Sequence, residues 1–168
     1  MTPGRVPGFG GRIAMKIAVL FALAVLACVS RPSLAAEEPS DEQRIRGGWT
    51  LVSTIKGTVE TKTPEAADES DNAPLTVTFD ESTWTAKIGS KGAPTKLGGS
   101  YYLDSKQTPK LLDVTIRGDG GNSSNLYFIY RFEKDRLHLR LQTGGQRPVD
   151  FESACEDCTT LIFRHDKD

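Results

Sequence analysis

Cys155-Glu156-Asp157-Cys158 is the pattern in this chain best placed to do chemistry. A redox pair at this spacing needs a thiol whose pKa is lowered by a helix N-terminus or by nearby cations. Here two carboxylates sit between the thiols and a strand pattern follows, and both work against the thiolate. As a zinc site the pair is half a set and needs two more ligands. The only histidines are His138 and His165, and no metal is expected. In an exported protein such a pair most simply closes a disulfide across a turn. A structural disulfide between Cys155 and Cys158 is therefore the expectation, with thiol-redox chemistry the enzyme-class alternative.

Other candidates offer less chemistry. Asp104 and Asp113 border one turn and could face each other, but capping turns is the commoner use of Asp. Neither Gly-x-Ser-x-Gly nor His-Glu-x-x-His occurs, so these hydrolase templates find no match. Gly118–Asn122 lacks the Lys and following helix of a phosphate loop. Asn122-Ser123-Ser124 is formally a glycosylation acceptor, meaningful only in a host that glycosylates. Neither a catalytic residue nor a cofactor is assigned. The candidate ligand-facing residues are Trp49, Trp84, Tyr101, Tyr130 and Arg147. Arg147, followed by Pro148 and Asp150, could cap a barrel end through backbone carbonyls or stack on Trp49. The aromatics, with Tyr102, Tyr127, Phe128 and Phe132, could line a cavity or simply fill the core.

The leader and the charge limit where these residues work. Lys16 precedes an apolar run, 17–27, of signal-peptide length, and Ser33-Leu34-Ala35 has the small-x-small pattern of a cleavage site. Residues 1–36 read as a cleaved secretory signal starting at Met15. Val25-Leu26-Ala27-Cys28 resembles a bacterial lipobox, so lipidation at Cys28 is the alternative. Residues 1–36 hold four basic and no acidic residues; the rest carries 21 − 4 = 17 basic against 22 acidic, a net of −5. A mildly acidic domain without a basic stripe argues against nucleic acid as a partner. No later apolar segment approaches the roughly 20 residues that span a bilayer, so the mature protein is expected to be soluble or tethered by lipid. The expected setting is the periplasm, the cell surface or the medium.

What must position the candidates is a series of short amphipathic strands. Residues 37–46 read as a polar tether and a short helix, with Ser40 as cap and Gln43 completing a capping box. Residues 47–168 read as one domain. Trp49–Ile55 begins it, and Gly57–Pro74 is a polar loop with a helical turn expected after Thr63. Leu75–Phe79, Thr83–Ile88, Gly99–Asp104, Leu111–Ile116 and Thr160–Arg164 alternate as strands do. The clearest pairing lies in Asn125–Leu141. With Lys134-Asp135 as a two-residue turn, Phe132 falls opposite Leu137, Tyr130 opposite Leu139 and Phe128 opposite Leu141 on one face. Glu133 then meets Arg136 and Arg131 meets His138 on the other, and a one-residue slip would destroy both sets. About eight antiparallel strands with no long helix predict an all-β fold, one closed barrel whose interior is filled or holds a small ligand.

Gly47-x-Trp49 resembles the G-x-W of lipocalin-like barrels. Gly99-x-Tyr101-x-Leu103-Asp104, Pro109-Lys110-x-Leu112-Asp113, Ile129-Tyr130 with Asp135-x-Leu137, and Gly145-Gln146-Arg147-Pro148-x-x-Phe151 follow in order. Together they resemble a lipocalin-like domain of unknown function that is abundant in planctomycete bacteria. The resemblance spans essentially the whole mature chain. It departs at Phe128, where a Gly usually precedes Ile-Tyr, and at Cys155 and Cys158, in a stretch usually free of Cys. It implies a lipocalin-like barrel and a secreted habit, and no known reaction. Three readings follow: a non-enzymatic binding module for a small apolar ligand or a protein partner of the envelope, a filled structural barrel acting through its loops, and a thiol-redox accessory protein.

Overall fold

Alternation of apolar and polar residues is realised as nine strands among the described residues of the computed structural model, which are 38–63, 72–90, 94–118 and 121–166. The chain divides into a unit Met1–Glu38, of which only Glu38 is described, and a unit Pro39–Asp168. Met15, the apolar run 17–27 and Cys28 lie outside the described residues, as does the helical turn expected after Thr63. In chain order the elements are α1 (Asp41–Arg44), β1 (Gly47–Lys56), β2 (Val59–Lys62), β3 (Asn72–Phe79), β4 (Thr83–Ser90), β5 (Thr95–Asp104), β6 (Lys110–Arg117), β7 (Ser123–Glu133), β8 (Arg136–Gln142) and β9 (Cys158–His165).

Every neighbouring pair is antiparallel, and β9 returns to pair with β1. Eight strands thus close a barrel, β1 and β3 through β9, and closure leaves those eight without a free edge. β2 stands outside the ring: it pairs with the second half of β1, while β3 pairs with the first half. The loop expected over Gly57–Pro74 holds β2, and the strand expected from Leu75 begins at Asn72; Val59–Lys62 is short and exposed with Val59 its one apolar residue, so no apolar face announces it. β3 takes in Pro74, and its register with β4 shifts between Ala73 and Thr76. A bulge tolerates a proline that cannot donate to the ladder.

The β7–β8 hairpin has the expected register, from Glu133↔Arg136 to Phe128↔Leu141. Its charges arrange differently: Glu133 lies 2.8 Å from Arg131 on its own strand and 3.5 Å from His138. Inside the barrel, Trp49, Val77, Phe79, Trp84, Leu112, Phe128, Tyr130, Leu137 and Phe163 form the buried core. Trp84 reaches across β5 and donates its indole N–H to Thr115 O at 3.1 Å. Gly99 makes room for this, since a Cβ there would sit 1.7 Å from Thr115 O and 3.2 Å from the indole nitrogen. Gly99→Ala is therefore expected to destabilise the domain by about 2–3 kcal/mol through overpacking, read as a lower urea midpoint, whereas Gly118→Ala, where a Cβ would meet only Asn122 O at an ordinary 3.5 Å, should have a much smaller effect.

Candidate functional site

The two ends of the barrel differ. At the end where β1 begins, α1 is tucked beneath the strands. Ser40 starts it, donating its N–H to Gln43 Oε1 at 3.1 Å as the capping-box pattern predicts. Asp41 Oδ2 then accepts from the Tyr130 hydroxyl at 2.7 Å and from Lys110 Nζ at 2.6 Å. Ile45, fully buried, enters the core behind the helix, and its carbonyl accepts the Trp49 indole N–H at 2.8 Å. Arg44 lies over the Phe132 ring at 4.3 Å, and Phe132 contacts both Trp49 and Tyr130. Burial and the adjacent Asp41 carboxylate push the Tyr130 phenol far above its ordinary pKa. Tyr130 is thus a fixed donor to a carboxylate, with no readiness to release its proton.

Gly47 explains the spacing of the first motif. Its φ of +104° suits glycine, and a Cβ would meet the His165 ring at 3.0 Å. His165 in turn packs edge-on against Trp49, with ring centroids 4.8 Å apart. Phe79 and Tyr101 also meet edge to face, and Tyr101 donates to Asp80 O at 2.6 Å. Trp49, Tyr101 and Tyr130 therefore gather at the helix-covered end, in a tightly bonded aromatic floor.

Towards the opposite end the core opens. A cavity of about 150 Å³ lies among Val77, Trp84, Ala86, Val114, Leu126 and Phe128, continuing past Leu75, Leu97, Ile116 and Leu161. Every described residue lining it is apolar. The side chains grade from buried Ala86 to Ile88, which is 42% exposed. Of the five sequence candidates only Trp84 lines this cavity. Phe128, the departure from the resembled motif, is part of its wall.

Arg147 is not with the other candidates. Leu112 and Phe128 face inward, so Asp113 and Tyr127, paired across β6 and β7, face out. Arg147 reaches this outer wall, pairs with Asp113, donates to Phe128 O at 2.9 Å and lies 5.3 Å from the Tyr127 ring centre. It does satisfy a carbonyl, but on the side of the barrel, and its aromatic neighbour is Tyr127 in place of Trp49. Asp113 is thereby engaged by Arg147, while Asp104 caps its own turn through Lys106 N–H. Asp150 likewise caps a turn, and bonds from the Ser153 hydroxyl and amide hold its carboxyl below the ordinary value.

The segment between β8 and β9 wraps this outer wall. Arg140 donates to Phe151 O and to Ser153 O, the latter at 2.7 Å, and Arg131 lies over the Phe151 ring at 4.4 Å. Ile129, Ile162 and Pro148 are buried although Ile129 and Ile162 point away from the barrel interior. Cys155 and Cys158 form a disulfide, with Cα atoms 5.2 Å apart, where this segment enters β9. Asp41, Ile45 and Arg140 were missed in the sequence, where Arg131 appeared only as the partner of His138 on the hairpin's outer face. The alternation of Arg140 with Leu139 and Leu141 hinted at an outward role. Ser53 and Lys56 also stand at Ser-x-x-Lys spacing. That spacing shares a face on a helix, but on strand β1 it falls on opposite faces.

Among the described residues no group of three or more His, Cys, Asp or Glu is arranged to hold a metal, and no helix is long and apolar enough to cross a membrane. The class the geometry defines is a small closed antiparallel β-barrel of lipocalin-like architecture, covered at one end and apolar at the other. No family model matches the chain, and no curated protein matches it. Among solved structures it is similar to a lipocalin-like protein from Bacteroides uniformis, at 17% identity and a TM-score of 0.46, covering 73% of this chain and 98% of that one. It is also similar to an uncharacterized protein from Bacteroides eggerthii, at 14% identity and a TM-score of 0.44, covering 72% and 98%.

Two measurements follow from these contacts. In a double-mutant cycle of Asp41→Asn and Tyr130→Phe, a coupling energy of about 1–2 kcal/mol is expected, as for a hydrogen bond to a charged group. A value near zero would show that the clasp does not hold α1. His138, buried on β8, has its pKa lowered chiefly by burial, with Arg131 and Arg136 adding and Glu133 opposing. The unfolded state therefore binds the extra proton more readily, and stability present above about pH 6.5 is lost as pH falls through the folded value. Urea midpoints should drop between pH 7.5 and 5, and His138→Gln should flatten that slope.

Proposed function

We propose that the chain is an exported, non-enzymatic binding module of the lipocalin-like domain abundant in planctomycetes, and that its barrel takes a small apolar ligand, or the apolar part of a larger one, through the end opposite α1. The observation that carries this reading is the wholly apolar cavity of about 150 Å³ beside Trp84. Close packing leaves few voids in protein interiors. Apolar cavities of about this size stay dry and accept guests as small as benzene or xenon. The guest that matches is therefore slender: one ring, or a short run of an alkyl chain whose remainder emerges past Ile88. Of the sequence candidates, Trp84 is the ligand contact in this reading, and Trp49, Tyr101 and Tyr130 are the floor beneath it. Export rests on the leader reading and accords with the Cys155–Cys158 disulfide.

The test is native mass spectrometry with and without a short-chain alcohol such as hexanol, followed by Trp84 emission. The expected result is one bound molecule and a shift in emission. Ala86→Leu, which fills the cavity from its buried wall, should weaken binding at least about tenfold, as losing a well-fitted apolar contact of more than about 1.4 kcal/mol does. Binding that Ala86→Leu leaves unchanged would place the guest elsewhere and defeat the proposal.

A further inference from the structure

Among the described residues, Tyr102 is the one aromatic among the large exposed apolar side chains, at 65% exposure. Its neighbours on β5, Tyr101 and Leu103, pack into the core, so Tyr102 points out from the barrel wall. Its hydroxyl has no hydrogen-bond partner among the described residues. Across the sheet Tyr102 stands beside Asp113, and Asp113 beside Tyr127. Arg147 completes this row: it pairs with Asp113 Oδ1, donates to Phe128 O and lies over the Tyr127 ring. These contacts fix the guanidinium plane and still leave it N–H groups to spare, and Asp113 a second carboxylate oxygen. Two residues along the strands, Ser100, Thr115 and Asn125 form the next row. Val114, Ile116 and Leu126 pack inward, so Thr115 and Asn125 face out, and Thr115 Oγ1 donates to Asn125 Oδ1 at 3.0 Å. Neighbouring strands lie about 4.8 Å apart, so each row spans roughly 10 Å.

We propose that this wall binds a neutral, extended glycan, a β-1,4-linked pyranose chain lying across β5, β6 and β7. A pyranose ring has an apolar C–H face and a rim of hydroxyls. An exposed ring beside a fixed ion pair and a row of hydroxyl and amide groups matches both. Tyr102 stacks on the sugar face. Asp113 and Arg147 bond to hydroxyls of the same sugar, and Ser100, Thr115 and Asn125 to the edge of the chain. Charge selects the neutral class: the one anion and the one cation of the row are paired with each other, so a charged ligand finds no counter-charge there. Shape selects the linkage. A flat ribbon lies along a sheet wall, and a row of roughly 10 Å has the reach of a disaccharide, whereas a coiled α-1,4 chain touches with a single ring. A protein partner would call for an apolar centre, and Tyr102 has Asp, Ser and Thr around it. This site is separate from the apolar cavity, and either can stand without the other.

The test is an amide-resolved NMR titration of the ¹⁵N-labelled full chain with cellohexaose, and with maltohexaose as the coiled control. Saturable shifts centred on Ser100, Tyr102, Asp113, Thr115 and Asn125 are expected with cellohexaose. The affinity should be the same at low and high salt, since an uncharged ligand leaves nothing to screen. Maltohexaose should bind at least about tenfold more weakly, because one ring in place of two meets the wall. Tyr102→Ala should weaken the cellohexaose response at least about tenfold, the loss of a central aromatic anchor. Should that variant disturb the fold, Asn125→Ala, at an exposed position, decides alone with a weakening of at least about threefold, the loss of a hydrogen bond. No saturable response to cellohexaose, an equal response to maltohexaose, an affinity that falls with salt, shifts centred elsewhere, or binding untouched by the substitutions would overturn the assignment.

Discussion

Closure of the sheet between β1 and β9 is the constraint on which the rest of the structure depends. It makes β1 serve three partners: β9 along one side, and β3 and β2 in turn along the other. One strand cannot keep a single register against all of them, and the bulge at Leu51–Ser53 absorbs the difference. Eight strands fix an interior about as wide as its side chains fill. Whether a section of the barrel is solid or hollow then depends on which residues point inward at that level. Where Trp49, Tyr130 and Phe132 meet beside Ile45 it is solid. Where Ala86, Val77 and Val114 face one another, small side chains leave a hollow.

The same closure explains why α1, only four residues long, matters. The floor aromatics bring polar atoms with them, and these need partners once buried. Ile45 O takes the Trp49 N–H, and Asp41 takes the Tyr130 hydroxyl. On the outer wall Arg140 and Arg147 do comparable work, with carbonyls of the β8–β9 segment and of β7 as acceptors. Long polar side chains tie irregular backbone to regular strands in both places, whereas the described residues that line the cavity are all apolar.

The strands, their antiparallel order, the β7–β8 register and the short capped helix were legible in the sequence because each rests on local periodicity or a capping pattern within a few residues. β2 was not, since four exposed residues on an edge, only Val59 of them apolar, carry no apolar alternation. The candidate site was legible only in part. Large aromatics near Gly47-x-Trp49 drew attention to the floor, whereas the hollow is made by small and branched residues such as Ala86, Val114 and Leu126, which no motif marks. Arg147 was expected at a barrel end because an arginine suits free carbonyls. Its placement on the outer wall depends on the path of a segment without periodicity, anchored by Asp113 more than thirty residues earlier. Nothing short of the fold brings those two together.

A crystal of the full chain held under xenon pressure tests the central claim most directly, because xenon enters dry apolar hollows of this size and ignores polar grooves. The account requires xenon density inside the barrel, bounded by Val77, Trp84, Ala86 and Val114, with those side chains unmoved. A barrel whose interior excludes xenon, its side chains closed over the space, would contradict it.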